Sequence, residues 1–282
     1  MSRRVLRRTE WAWPTRPVHL EVRSVEVAGD NPPLLFVHGL GHGAWCFEPW
    51  QELAAARGFS SHALSLRGHG GSGGQNQLGR TSVRDYEHDV LQAIAGLPQP
   101  PVLVGHSLGG MVVQRVLQRY PARAGVLLTP IPAVGAPATV LGMARNRPTE
   151  LLRGTLGATI RLRPEDLFAD LPQEQARDYA SRVGRESRWA QWAMLRPERL
   201  GPVDSPVLVV GAEGDALVAP ADVRRCAQAL GAQVEWVPGG HDVMLDGWHE
   251  QVLDVVLDWV AGQCPPGPPL PGARLTSPLQ LK

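Results

Sequence analysis

The run Val102-Leu103-Val104-Gly105-His106-Ser107-Leu108-Gly109-Gly110 constrains this chain more than any other stretch. A short β-branched apolar segment enters G-x-S-x-G, after which Met111, Val112, Val113, Val116 and Leu117 recur near helical spacing until Pro121. The pattern predicts a strand, a sharp turn and a helix. Such a turn forces its serine toward a strained backbone and brings neighbouring chain so close that side chains at Gly105 or Gly109 would collide. The helix beginning at Leu108 offers free N–H groups and the positive end of its dipole where an oxyanion would form. Ser107 is therefore the candidate nucleophile.

An elbow of this kind needs a large sheet around it, and composition allows one. The chain has 282 residues, 43% hydrophobic and 20% charged, enough for one large α/β domain or two small ones with a sizeable core. A net charge of +1 offers no electrostatic case for nucleic acid or an anionic membrane. Nine tryptophans against three tyrosines and four phenylalanines suggest apolar surfaces or pockets. Cys46, Cys226 and Cys264 are far apart, odd in number and form no C-x-x-C, which supports neither a disulfide scaffold nor a zinc site. Reduced thiols fit a cytoplasmic location. The arginines of residues 3–16 are followed by no apolar run of about 7 to 15 residues, so a signal peptide is not expected. No stretch approaches the roughly 18 apolar residues of a transmembrane helix.

Along the chain, residues 18–27 alternate like a half-exposed strand, and Leu34-Leu35-Phe36-Val37 reads as a strand buried on both faces. The glycine-rich loop His38-Gly39-Leu40-Gly41-His42-Gly43 follows it, then a helix with Pro49 in its first turn that ends at Gly58. A second buried strand over 60–66 runs into Arg67-Gly68-His69-Gly70-Gly71-Ser72-Gly73-Gly74, and Thr81 or Ser82 can cap the helix that continues to Gly96. Further strands are predicted over 124–129, 207–211 and 233–237, with helices over 220–231 and 247–260. The alternation implies a mostly parallel sheet flanked by helices on both faces, with a ligand site at the carboxyl ends of its strands. Residues 131–200 break the rhythm with short helical pieces and the pair Trp189 and Trp192, and are read as a helical cap inserted over the site. The expected organisation is a basic extension over 1–17, an α/β core over 18–130 and 201–263, the cap over 131–200, and a flexible Pro/Gly-rich tail over 264–282.

A serine hydroxyl is a weak nucleophile at neutral pH, so a base must take its proton and a carboxylate must orient that base. After an elbow in an α/β sheet the expected order is serine, acid, histidine. Asp215 follows the 207–211 strand and His241 follows the 233–237 strand. Glu213 is the nearest alternative acid, while His249 and His19 fall within a helix and a strand. The oxyanion needs two donors, expected from the backbone N–H groups of Leu108 and Leu40. His42 and Trp45 either line an acyl pocket or fix their loop; Trp189 and Trp192 are candidate pocket lining or cap core.

With these residues in view the chain resembles the α/β-hydrolase fold superfamily, in its lipase- and esterase-like branch of single-domain enzymes with a cap. The resemblance is carried by residues 38–45, Arg67-Gly68-His69-Gly70-Gly71-Ser72, Gly105-His106-Ser107-Leu108-Gly109-Gly110, Gly211-Ala212-Glu213-Gly214-Asp215 and Gly240-His241, spanning roughly residues 18 to 262. It implies a triad of Ser107, Asp215 and His241, oxyanion donors at Leu40 and Leu108, and a cap near 131–200. Relatives often carry an acid just before the Leu-Arg-Gly-His-Gly loop, where this chain has Ser65. The expected activity is cofactor- and metal-independent hydrolysis of a small acyl ester, lipid-like esters included. Thioesterase, lactonase, amide or carbon–carbon hydrolysis, a hydroxynitrile-lyase-like reaction and a non-catalytic ligand receptor stay open. The oligomeric state is not legible.

Overall fold

Residues 15–264 are described by the structure, a computed structural model. Most of the predicted basic extension and nearly all of the predicted tail lie outside them. From Leu34 onward strand and helix alternate: β2 (Leu34–Val37), α1 (Glu48–Ala56), β3 (Ser61–Leu64), α2 (Val83–Ala95), β4 (Val102–His106), α3 (Leu108–Leu117) and β5 (Gly125–Leu128). Five helices then follow without a strand: α4 (Pro137–Asn146), α5 (Pro148–Thr155), α6 (Pro164–Leu167), α7 (Gln173–Arg182) and α8 (Arg188–Met194). The alternation resumes with β6 (Val207–Ala212), α9 (Pro220–Leu230), β7 (Gln233–Val237) and α10 (His249–Gln263).

The strands, with β1 (Val22–Val25), form one sheet in the order β1-β3-β2-β4-β5-β6-β7, parallel throughout except at the β1–β3 edge. Alternate side chains of each strand serve opposite layers. Leu34 and Phe36 of β2, with Val102 and Val104 of β4, pack toward α1 and α10, where Phe36 stacks on Phe47 with ring centroids 4.7 Å apart. Leu35 and Val37, with Leu103, Leu127 and Val209, pack toward α2, α3 and α9. These strands are buried at every position of β2 through β5, which is why β2, β4 and β5 are rich in apolar residues, while buried β3 carries Ser61 and His62.

β1 is shorter than the strand predicted over 18–27. Its leading residues serve the 67–74 loop instead, His19 accepting from Gly73 N–H at 2.8 Å and Glu21 from Ser65 N–H at 2.9 Å through their carbonyls. The Glu21 side chain also supplies the acid missing at Ser65: its Oε2 accepts from Ser65 Oγ at 2.6 Å and from Gly71 N–H at 2.8 Å. Ser82 begins α2, its N–H bonded to Asp85 Oδ2 at 2.7 Å. Among the described residues no helix is long and apolar enough to cross a membrane, and Cys46, Cys226 and Cys264 are buried and unpaired.

Candidate active site

The turn between β4 and α3 is built as its glycines require. Ser107 holds φ 52° and ψ −116°, a conformation that only a tightly packed surround maintains for a side-chain-bearing residue. A Cβ on Gly105 would lie 2.5 Å from the Gly109 carbonyl oxygen, and one on Gly109 would fall on the carbonyls of Val37 and His38. The loop after β2 approaches equally closely: a Cβ on Gly39 would sit 2.9 Å from that of Ser107. Leu40 and Leu108 thus border the serine from two directions, and neither N–H donates to another group among the described residues.

His241, in the loop after β7, comes to Ser107 across 134 residues of sequence, its Nε2 2.9 Å from Oγ. Its Nδ1 lies 2.9 Å from Oδ2 of Asp215, which follows β6. The other carboxylate oxygen of Asp215 accepts from the N–H groups of Leu217 at 2.8 Å and Val218 at 2.9 Å, so the acid is held by its own turn. With the Nδ1 proton directed at Asp215, Nε2 is left to accept from the serine hydroxyl. Burial opposes a charge on His241, yet the adjacent Asp215 carboxylate outweighs it and raises the pKa above its ordinary value. Glu213 and His19 are exposed, and His249 bonds its own turn through the Asp246 carbonyl.

The profile of the alpha/beta hydrolase family matches residues 34–255, a span that contains the elbow, the acid and the histidine. The chain belongs to this family. A protein named as a probable esterase in Oryza sativa subsp. indica is 37% identical over 110 residues, 36% of this chain and 40% of that one. The chain therefore spans well under half the length of that relative. A monoacylglycerol lipase of Mycolicibacterium smegmatis is 26% identical over 250 residues, covering 80% of this chain and 87% of its own. Among solved structures, a soluble variant of monoglyceride lipase from Saccharomyces cerevisiae superposes with a TM-score of 0.71 at 15% identity, over 89% of this chain and 94% of that one.

Around Ser107, Asp215 and His241 lies a second buried layer, in which His42 was a sequence candidate and Asp242 was not. The His241 carbonyl accepts from Thr129 Oγ1 at 2.9 Å and from His106 Nε2 at 3.1 Å, tying the histidine loop to the ends of β5 and β4. Asp242 is fully buried, with Oδ2 2.9 Å from His42 Nε2 and Oδ1 3.4 Å from His106 Nε2. Burial pushes the His106 pKa down to about 3, despite Asp242, so this ring is neutral. Burial acts to raise the pKa of Asp242, but His42 beside it prevails and the carboxyl is held below its ordinary value. The donor atoms of His106, His241 and Asp242 fall within 4.8 Å of one another, a spacing that could hold a metal ion. Both His241 nitrogens, however, are already directed at Ser107 and Asp215.

Helices α4 to α8 touch the loops that carry these residues. Gly184 N–H donates to the Gly41 carbonyl at 2.7 Å, and Gly41 N–H to Glu186 Oε2 at 3.3 Å. On the histidine side, Asp242 N–H donates to the Leu167 carbonyl at 2.9 Å, and Asp246 Oδ2 accepts from both Gly240 and Ala169 N–H. Glu186, fully buried at its side chain, also accepts from Tyr86 and lies 3.4 Å from His69 Nε2. Burial works against both charges; the mutual attraction prevails, raising the His69 pKa and lowering that of Glu186. Sequence reasoning assigned Glu186 no role, since nothing local distinguishes it from a surface glutamate.

Two cavities adjoin this arrangement. A small pocket between α4, α5 and α8 is lined by Ile131, Val140, Met143, Ile160 and Met194 among others, and Ile131 N–H bonds the Ser107 carbonyl at 3.1 Å. A cleft of about 1240 Å³ runs along Gly41, His42 and Trp45, where the His42 and Trp45 rings stack at 5.4 Å. Trp189 and Trp192 line neither cavity. They meet edge to face at 5.0 Å on α8, Trp192 bonded to the Gly154 carbonyl at 3.0 Å and Trp189 42% exposed.

Proposed function

We propose that this protein is a serine hydrolase that cleaves a carboxylic ester through an acyl-enzyme. The observation that carries the reading is the unbroken line Ser107 Oγ, His241 Nε2, His241 Nδ1, Asp215 Oδ2, each contact 2.9 Å, on a strained elbow. Ser107 Oγ attacks the acyl carbonyl as His241 takes the hydroxyl proton, and the imidazolium is stabilised by Asp215. The tetrahedral oxyanion is met by the N–H groups of Leu40 and Leu108, which have no other acceptor among the described residues. Collapse breaks the bond to the alcohol oxygen, which leaves with the proton from His241. Water, deprotonated by the now neutral His241, attacks the acyl-enzyme; the second collapse returns Ser107 its proton and releases the carboxylic acid.

Residues 131–200 act as the cap in this reading, supported by the bonds from Gly184 and Glu186 to the loop that carries Leu40. The small apolar pocket behind Ile131 suits the acyl chain. Labelling by a fluorophosphonate, read by intact mass, tests the proposal beside turnover of p-nitrophenyl esters of graded chain length. A single adduct, absent in Ser107→Ala and His241→Ala, with turnover that peaks at one chain length, is expected. Folded protein that takes no label and turns over no ester would overturn it.

A further inference from the structure

We infer that the cleft beside the Gly41 loop is a subsite for a phosphate group, so that the ester this site cleaves carries a phosphate on its alcohol side. The inference rests on the hydrolase reading for the word ester, but the subsite itself is argued from charge. Five guanidinium groups line the cleft, those of Arg80, Arg153, Arg182, Arg185 and Arg188. The one carboxylate on its wall, Glu186, is already committed to Tyr86, Ser187 N–H, Gly41 N–H and His69. Arg153 pairs with Glu150 at 3.4 Å. The other four have no carboxylate partner among the described residues; Arg182 and Arg188 lie over the rings of Trp45 and Trp189 at 4.1 and 5.6 Å.

Elsewhere arginines are of two kinds, some without a carboxylate partner and away from both cavities, as Arg177 and Arg225 are, and others set against an acid. Arg23, Arg57, Arg67, Arg115 and Arg147 each sit against an aspartate or glutamate. What distinguishes the cleft is that four cations without a carboxylate partner share one wall, where they repel one another until an anion arrives. Guanidinium forks match phosphate oxygens in pairs, and a dianion answers several at once where a carboxylate would answer one. Position supplies the remaining constraint. The wall of the cleft includes Gly41 and His42, directly after Leu40, and the wall of the apolar pocket includes Ile131, whose N–H bonds the Ser107 carbonyl. In this reading one substrate lays its acyl chain toward the pocket and its phosphate in the cleft, with the ester between them at Ser107.

The test compares 1-hexanoylglycerol 3-phosphate with 1-hexanoylglycerol, which share acyl group and ester bond and differ only in the phosphate. We expect kcat/KM to favour the phosphorylated ester by at least about tenfold, the equivalent of one charge-assisted contact, and the preference to shrink as salt is raised. In Arg80→Gln/Arg185→Gln, two exposed and unpaired positions, the preference should collapse while turnover of 1-hexanoylglycerol stays within about twofold. Hexanoyl-coenzyme A forms a third arm, and its preference over the glycerol phosphate would locate the phosphate on a nucleotide-bearing leaving group. Equal kcat/KM for all three compounds, or a preference untouched by the double variant, overturns the subsite and leaves the hydrolase standing. Calorimetric titration of Ser107→Ala with the same compounds reads the subsite without turnover. Tighter binding of the phosphorylated ester there, in a protein whose native form cleaves nothing, would support the cleft and sink the hydrolase reading.

Discussion

The sheet and the helical segment between β5 and β6 are held together by different physics. Strands β2 to β5 are buried at every residue and pack apolar layers on both faces. The segment from α4 to α8 buries fewer apolar side chains, with Leu152 and Leu156 59% and 77% exposed; it meets the core through Leu167, Phe168, Ala176 and Ala190 and through polar bonds of Glu186, Ser187 and the Asp246 carboxylate. Ser107, Asp215 and His241 all stand at strand exits, whereas the small apolar pocket is walled by the inserted segment and the arginine cleft lies between that segment and the loops after β2 and β3. Rigid packing therefore carries the proposed reacting groups, and a mixed, more polar docking carries the segment beside them.

The comparison breaks first if the chemistry does not belong to the sheet. Ser107→Ala should lower kcat/KM by about 10⁴-fold or more with an unchanged thermal melt, since it removes the attacking atom and no packing. Asp215→Asn should cost about 10³- to 10⁴-fold, and it should also move the pH profile. In the proposed mechanism the neutral form of His241 is the base, and Asp215 raises its pKa, so the acid limb of kcat/KM should lie above the ordinary histidine value of 6.5. Without the carboxylate the limb should shift toward lower pH; a limb that stays in place would remove Asp215 from the base.

Stability separates the two regions next. Phe36→Ala should cost about 3–5 kcal/mol in denaturant unfolding, because a fully buried ring stacked on Phe47 leaves a cavity in the sheet layer. Glu186→Gln should cost about 1–3 kcal/mol, felt as faster amide exchange in residues 39–43 and 183–187 rather than as global unfolding. The ion pair itself sets a pH window. The raised His69 pKa makes its contribution complete below 6.5 and lost as pH rises through the higher folded value. The lowered Glu186 pKa makes its contribution complete above 4.5 and lost as pH falls through the lower folded value. Protection of these amides should therefore peak between pH 4.5 and 6.5 in native protein and flatten in the variant. Leu156→Ala, on the exposed side of the insertion, should change stability by less than about 0.5 kcal/mol.

The same division explains what could be read from sequence. Apolar runs such as Leu34 to Val37 and the glycines around Ser107 report local requirements, so the sheet and the elbow were legible in the order of the residues alone. That Asp215, His241 and Ser107 come together was legible because strand exits are where a parallel sheet gathers its loops. Glu21 answering for Ser65, Asp242 bonding His42 across 200 residues, and Glu186 gathering Tyr86, His69 and Gly41 are long-range polar contacts with no periodicity to announce them. The charge of the arginine cleft was hidden for a related reason, since a net charge of +1 averages over surfaces that never meet. The tryptophan pair attracted attention through its rarity, yet Trp189 and Trp192 pack on one another and border neither cavity.

The paired bonds at Gly41, its carbonyl taking Gly184 N–H and its own N–H reaching Glu186, have a consequence for protein engineering. They form a seam: a foreign insertion grafted between β5 and β6 to alter selectivity would arrive without it. The loop bearing Leu40 would lose its tether, and a chimera could inherit a new pocket while forfeiting the alignment of its proposed oxyanion donor. Residues 183–187 should therefore be retained as part of the recipient scaffold, with exchange confined to the helices before them.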